Sequence, residues 1–388
     1  MKYADLNAAF ETVFESQPSA TYFAPGRINL IGEHIDYNGG HVFPCAITFG
    51  TYALIRKRDD QICNFYSMNF ESLGVISVSL DAISYDETDD WVNYPKGVIK
   101  MLADTGHPIE SGFDVLYYGN IPNGAGLSSS ASLEVLTATF INEMYQLGVS
   151  RLDTIKLSQR AENEFVGVNS GIMDQFAVGM GQKDAAILLN TNTLDYEIVP
   201  VILEDASIVI MNTNKRRGLI DSAYNTRREE CDAAFRIIKE YYDVQFICDL
   251  SMKQLLAIQT AFADDVIWRR AKHAVSENER TLEATSVLKA GNINRFGELM
   301  NESHVSLRDD YEVTGLELDT LVEKAWRVPG TIGARVTGAG FGGCAIAIVP
   351  NDAIAAFKDQ VGEHYRSVVG YDATFHVATI GQGVHRLD

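Results

Sequence analysis

The sequence lacks any long hydrophobic run. No apolar stretch approaches the roughly 18 residues needed to span a membrane, and the opening MKYADLNAAFETVFES has no apolar core of the signal-peptide kind. There is no CxxC spacing among the five cysteines (Cys45, Cys63, Cys231, Cys248, Cys344), and their odd number argues against a disulfide framework or a zinc ribbon. Free thiols of this kind suit a reducing compartment, so a cytoplasmic location is expected. Basic residues are scarce: 32 Lys and Arg face 52 Asp and Glu, leaving a net charge of −20. A field of that sign repels phosphates at long range and argues against nucleic-acid or anionic-membrane partners. Proline is also sparse, at 9 residues against 31 glycines, which excludes collagen-like and low-complexity chains. A phosphate-bearing ligand must therefore be caught locally, by main-chain amides, one or two arginines, or a metal ion.

What remains is an ordinary globular mix, 46% hydrophobic and 22% charged, over 388 residues. That length gives a prior of about two to three domains. Strand-like and helix-like segments alternate. Residues 43–56 and 113–118 read as strands. Apolar Leu133, Leu136, Phe140, Met144 and Leu147 recur at helical spacing, with Gly148 as the expected stop. A strand is expected over 201–211, a helix through 221–242, mostly helix over 250–325, and a short buried strand at 345–349. The pattern reads as α/β or α+β, with a lobe division near residue 200.

Four stretches carry chemistry. PNGAGLSSSASLE (122–134) sets glycines and three serines between a strand and a helix. Glycines admit close backbone approach, and a helix start offers free N–H groups and the positive end of its dipole. This is no Walker A loop, since GxxxxGK[ST] is absent; the competing reading is a Ser-capped helix after a turn. APGRINLIGEHIDYNGGHVF (24–43) crowds Arg27, Glu33, His34, Asp36 and His41 around glycines. Such groups suit the hydroxyls of a sugar; a metal site from His34, Asp36 and His41, or a solvated loop, is the alternative. AENEFVGVNSGIMDQF (161–176) places Glu162 and Glu164 on a helix and Asp174 beside apolar neighbours, a candidate general base or a helix-capping residue. GARVTGAGFGGCAIAIV (333–349) holds a formal GxGxxG at Gly338, Gly340 and Gly343. The run after it is strand-like, so a dinucleotide site is not indicated; a glycine turn close to a ligand, or a plain hairpin, remains. The cluster Lys215, Arg216 and Arg217 reads as a solvated loop.

In order and across most of the chain, these stretches resemble the GHMP small-molecule kinases, and within them the galactokinase family. GRINLIGEHIDYNGG (26–40) is similar to that family's sugar signature, PNGAGLSSSAS to the ATP loop, NSGIMDQF to the segment with the catalytic Asp, and GARVTGAGFGGCAIAIV to the third motif. Residue 170 is Ser where many members of the family carry Cys. The resemblance implies an α+β, two-lobed kinase with its active site in the cleft between a lobe of residues 1–198 and a lobe of residues 199–388. It also implies a left-handed β-α-β crossover in the first lobe, against the usual rule. It implies phosphorylation of the anomeric hydroxyl of α-D-galactose by ATP, the first committed step of galactose use, by a cytoplasmic monomer with small-molecule partners. Carried over residue by residue, Arg27 and Asp174 are the catalytic pair, and Glu33, His34, Asp36, Gly171, Asp174 and Tyr224 are the sugar contacts. Gly124, Ala125, Gly126, Leu127, Ser128, Ser129 and Ser130 form the phosphate cradle. Ser130 and Glu162 are the Mg²⁺ ligands, and Trp91 and Tyr94 stand near adenine.

Overall fold

The computed structural model describes residues 3–122, 126–215 and 220–388. In chain order its strands are β1 (Ala20–Asn29), β2 (His41–Val42), β3 (Pro44–Lys57), β4 (Ile62–Ser67), β5 (Ile76–Ser79), β6 (Phe113–Gly119) and β7 (Ala185–Asn190). They continue as β8 (Tyr196–Pro200), β9 (Ala206–Asn212), β10 (Gly333–Thr337), β11 (Cys344–Pro350), β12 (Thr374–Ala378) and β13 (His385–Arg386). They form a six-stranded sheet β13-β1-β3-β6-β4-β5, a four-stranded sheet β10-β11-β9-β12 and a three-stranded sheet β2-β7-β8. The β4/β6 pair is parallel and the other strand pairs among the described residues are antiparallel. A parallel pair needs a crossover, and the connection from β4 to β6 carries β5 and the helix Asn93–Asp104. The fold is α+β, one of the two classes the segment pattern left open and the one the resemblance implies.

Two features of the first sheet position the site. All ten residues of β1 are buried, because helices cover one side of the sheet and the second half of the chain meets its far end. The β1/β3 register slips between Pro25 and Arg27. Such an irregularity re-aims side chains, and here Pro25 has no N–H to lose from the ladder. At Gly26 a Cβ would stand 2.6 Å from the Leu127 carbonyl oxygen, so only glycine lets the 126–128 backbone close on β1. Arg27 N–H then donates to that carbonyl at 3.1 Å.

The helix Ser129–Met144 lies on β1 and β3, and the short helix Met173–Met180 packs against both strands and against that helix. Its apolar face (Val135, Leu136, Ala138, Phe140, Ile141) joins Tyr22, Phe65, Val98 and Phe113 in one core. The helix stops at Met144, earlier than Gly148, because the Asn142 amide turns out to bond both N and O of Val149. The strand expected over 201–211 begins only at Ala206: Ile202 is 73% exposed and Glu204 has φ of 49°, which a strand does not accommodate. The helix expected through 221–242 runs Ile220–Ile238. A second core lies among the C-terminal helices and β9–β11, with Tyr311, Leu321, Ala345 and Phe357 at its centre. Helix Ile293–Asp309 rests on β10, and helix Asp265–Lys289 rests in turn on that helix. Among the described residues no helix is long and apolar enough to cross a membrane.

Candidate active site

A cavity of about 500 Å³ opens where β1, the start of helix Ser129–Met144, the 161–174 segment, helix Ile220–Ile238 and the turn after β10 converge. Arg27, 4% exposed, projects into it and grips Asp174 in a two-pronged bond, Nε to Oδ1 at 2.9 Å and Nη2 to Oδ2 at 3.0 Å. Its third nitrogen, Nη1, donates to the Gly126 carbonyl at 2.8 Å. Ser128 Oγ adds a 2.5 Å bond to Asp174 Oδ2. Ser128 stands just ahead of the helix with φ of 61°, in the left-handed region, and its hydroxyl makes no capping bond. A serine before a helix usually caps it; here that hydroxyl is aimed at the carboxylate instead.

One wall of the cavity carries Glu33, His34, Asp36, Gly171 and Tyr224. Glu33 is 1% exposed and accepts from Asn29 Nδ2 at 2.6 Å, Gly338 N at 2.6 Å and Arg335 Nη1 at 2.7 Å. Burial raises its pKa and the Arg335 charge opposes this. The His34 ring has both nitrogens engaged, Nδ1 with Tyr37 OH at 2.8 Å and Nε2 with the Ala339 carbonyl at 3.1 Å. Burial pushes the His34 pKa down to about 3, so the ring is neutral. Asp36 opens a short 3₁₀ turn, and burial, with the nearby Asp174 charge behind it, pushes its carboxyl up to about 7. The backbone at Gly171 presses on that carboxyl: a Cβ there would fall 1.9 Å from Asp36 Oδ2. The Tyr224 ring stands 5.6 Å from the His34 ring. A metal site from His34, Asp36 and His41 is not formed. His41 bonds Asn278, and no cluster of three or more His, Cys, Asp or Glu could hold an ion among the described residues.

The cavity is also lined by Gly126, Leu127, Ser128, Ser129, Ser130 and Glu162. Glu162 sits on a π-helical segment, Ala161–Val166, and accepts from Ser130, from Ser170 Oγ at 2.6 Å and from Gln175 Nε2 at 2.8 Å. Gln175 Nε2 also reaches Glu134 Oε2 at 3.1 Å. Glu134 is fully buried, its Oε1 has no hydrogen-bond partner, and burial raises its pKa well above the ordinary carboxylate range, with the Glu162 charge adding to the effect. The Glu162 carboxyl and the Ser130 hydroxyl, both on the cavity lining, are hard oxygen donors that suit Mg²⁺. That ion commonly takes only one or two protein carboxylates and fills its octahedron with phosphate and water oxygens.

Tyr94 lines the cavity, whereas Trp91 does not. Trp91 is 8% exposed, lies nearly parallel to Phe70 at 6.4 Å and meets Tyr117 edge-on at 5.6 Å, so its bulk is used in packing. Gly124 and Ala125 fall outside the described residues, as do Arg216 and Arg217. Gly338, Gly340 and Gly343 form a turn on the cavity with φ of 80°, 78° and 79°. Sequence reasoning missed Arg335, Glu277, Glu134 and Gln175. A charged residue inside an apolar strand (GARVT) and a Glu one helical turn after Ser130 were the available signals.

The fold and this cleft define a small-molecule kinase of the GHMP class. Residues 93–182 match the GHMP kinases N terminal domain and residues 284–367 the GHMP kinases C terminal domain, while residues 8–57 match the galactokinase galactose-binding signature. The chain is 54% identical to a galactokinase of Clostridium perfringens over 387 residues, all of both chains. It is 55% identical to the Streptococcus mutans galactokinase over 99% of this chain and 98% of the other. It superposes on the crystal structure of Lactococcus lactis galactokinase complexed with galactose with a TM-score of 0.97, at 50% identity and 99% coverage of each chain. Methanococcus jannaschii mevalonate kinase, at 18% identity and a TM-score of 0.64 over 93% of this chain and 98% of the other, shares the fold. The chain belongs to the galactokinase family.

Proposed function

We infer that this sugar kinase transfers the γ-phosphoryl group of ATP to the anomeric hydroxyl of α-D-galactose, giving galactose 1-phosphate and ADP. The observation that carries the reading is the Arg27–Asp174 pair, set between a serine-lined helix start and a wall of polar side chains that suits a hexose. Asp174 accepts a hydrogen bond from the attacking hydroxyl and takes its proton as the oxygen bonds to phosphorus. A loose phosphoryl-transfer transition state asks little activation of the nucleophile, so orientation and charge dominate. Arg27 holds the carboxylate plane and offsets negative charge between it and the γ-phosphate. Ser128 shares the load on Oδ2.

The free N–H groups at the start of helix Ser129–Met144 face the phosphates. Ser130 and Glu162 would hold Mg²⁺, which supplies Lewis-acid neutralisation of the phosphate oxygens when bound. Gln175 and Ser170 hold the Glu162 carboxylate in place, and Glu134 in turn accepts from Gln175. Glu33, His34, Asp36, Gly171 and Tyr224 contact the sugar, with Tyr94 on the nucleotide side. A wall that pairs an axial 4-hydroxyl strands a donor or acceptor when glucose enters, and such mismatches cost orders of magnitude in turnover.

We place the lobe division at 198/199 and assign a cytoplasmic monomer; five buried cysteines with no disulfide among them support the reducing compartment. A coupled ADP-release assay tests the function. Galactose should turn over far faster than glucose or mevalonate, and equal rates would reject the assignment.

A further inference from the structure

We propose that the sugar wall is set from behind by a one-directional chain of hydrogen bonds, Cys231 to Tyr311 to Tyr37 to His34. In this chain Tyr37 is the positioning residue that fixes His34 as a donor toward the cleft. The inference deepens the galactose reading and rests on it for what His34 faces. The contacts are Cys231 Sγ to Tyr311 OH at 3.0 Å, Tyr311 OH to Tyr37 OH at 2.8 Å, Tyr37 OH to His34 Nδ1 at 2.8 Å and His34 Nε2 to the Ala339 carbonyl at 3.1 Å.

Valence orders every proton in this chain. A carbonyl cannot donate, so His34 Nε2 carries the hydrogen. The ring is neutral, so Nδ1 has a lone pair and Tyr37 must donate to it. Tyr37 has one hydroxyl proton, so its oxygen accepts from Tyr311. Tyr311 has likewise given its proton away, and its oxygen accepts from the Cys231 thiol. Behind the thiol, Asn38 Nδ2 lies 3.6 Å from Cys231 Sγ and donates to the His34 carbonyl at 2.8 Å.

The chain joins four separate segments. Asn38 and Tyr37 lie on the 3₁₀ turn that begins with Asp36, Cys231 on the helix that carries Tyr224, Tyr311 just beyond helix Ile293–Asp309, and Ala339 in the glycine turn. Tyr311 is fully buried, with the His273 ring 4.4 Å away and the Arg270 guanidinium 5.8 Å from its ring. His34 itself has φ of 63°, a backbone conformation that costs a non-glycine residue energy. Pinning both ring nitrogens offsets that strain. Any sugar oxygen that takes the place of the Ala339 carbonyl meets an N–H and never a lone pair.

The direction of the chain makes a graded prediction that bulk packing does not. Tyr37→Phe removes the donor to Nδ1 and frees the imidazole to carry its proton on either nitrogen. Tyr311→Phe leaves Tyr37 donating. The loss of one neutral hydrogen bond corresponds to a roughly three- to tenfold rise in galactose KM for Tyr37→Phe, with a smaller rise for Tyr311→Phe and kcat less affected than KM in both. Nitrogen-15 NMR of histidine-labelled protein without sugar reads the chain directly, with the His34 signal assigned by a His34→Gln variant. Wild type should show the fixed Nε2–H tautomer and Tyr37→Phe a mixture. An Nδ1–H tautomer in wild type, or equal KM effects in the two Phe variants, would overturn the proposal. Absence of galactose turnover in wild type would instead reject the substrate reading, and the tautomer measurement stands apart from it even where a variant does not fold.

Discussion

Arg27 and Asp174 meet through two side-by-side N–H···O bonds, 147 residues apart in sequence and 2.9–3.0 Å apart in space. The Arg27 side chain is 5% exposed and that of Asp174 27%, so of the two the carboxylate is the more open to the cavity that both line. The bidentate pairing fixes the carboxylate plane as well as its position, which a lysine could not do.

Asp174→Asn keeps the shape and removes the charge and the basic oxygen. Turnover should fall by about 10²–10⁴-fold, the usual worth of a positioned proton acceptor, with an unchanged circular dichroism spectrum. Ser128→Ala, which removes one bond to Oδ2, should cost far less. Steady-state ADP release measures both, and near-wild-type turnover by a folded Asp174→Asn protein would remove Asp174 from its role.

Gly171→Ala tests the contact between the 169–171 turn and Asp36. The added methyl carbon would sit 1.9 Å from the carboxyl oxygen, so one of the two must move. Galactose KM should rise by at least about tenfold, as expected where sub-ångström placement governs binding, while the melting temperature changes little. An unchanged KM would show that Asp36 is not held against the sugar by this turn.

Much of the site was legible because its chemistry is local. The Arg27–Asp36 cluster, the serine turn and Asp174 each lie within about a dozen residues that carry their own glycines, and 14 of the named positions, Arg27 and Glu162 among them, line one cavity. What was not legible depends on pairing across the fold. Arg335 reads as an outlier in a short strand, yet it is fully buried and bonds Glu33 across 302 residues and Ser303 at 3.2 Å. Glu277 lies inside a 25-residue helix with nothing local to mark it; it accepts from Gly32 N at 3.0 Å and Ser303 Oγ at 2.5 Å, and although burial raises its pKa, the Arg280 and Arg335 charges outweigh this and hold it at about 2. Element ends shifted for the same reason: Asn142 capturing Val149 ends a helix that periodicity alone would carry to Gly148.

Asp36 predicts a pH-dependent stability. Burial and the Asp174 charge raise its folded pKa from 3.8 to about 7, so the folded protein keeps a proton that the unfolded chain releases. The stabilising contribution is complete below 3.8 and is lost as pH rises through about 7. Asp36→Asn cannot ionise. Its melting temperature relative to wild type should therefore climb between about pH 4 and pH 7 and level off above. A constant difference across that range would contradict the burial of Asp36.

Glu162→Gln should raise the Mg²⁺ concentration needed for half-maximal activity by about 10–100-fold, the usual cost of disturbing a ligand or its support. Ser130→Ala should move it the same way. Calorimetric titration of nucleotide with and without Mg²⁺ provides the check: the ion should strengthen nucleotide binding less in either variant than in wild type. An unaltered Mg²⁺ requirement in both would assign the ion elsewhere.

The most direct measurement is a crystal structure with galactose and a non-hydrolysable ATP analogue bound together. The anomeric oxygen should lie about 2.6–3.2 Å from an Asp174 carboxylate oxygen, with the terminal phosphorus in line beyond it and Arg27 within reach of both. A sugar that presents another hydroxyl to Asp174, or a terminal phosphate remote from Arg27 and the Ser128–Ser130 turn, would contradict the account.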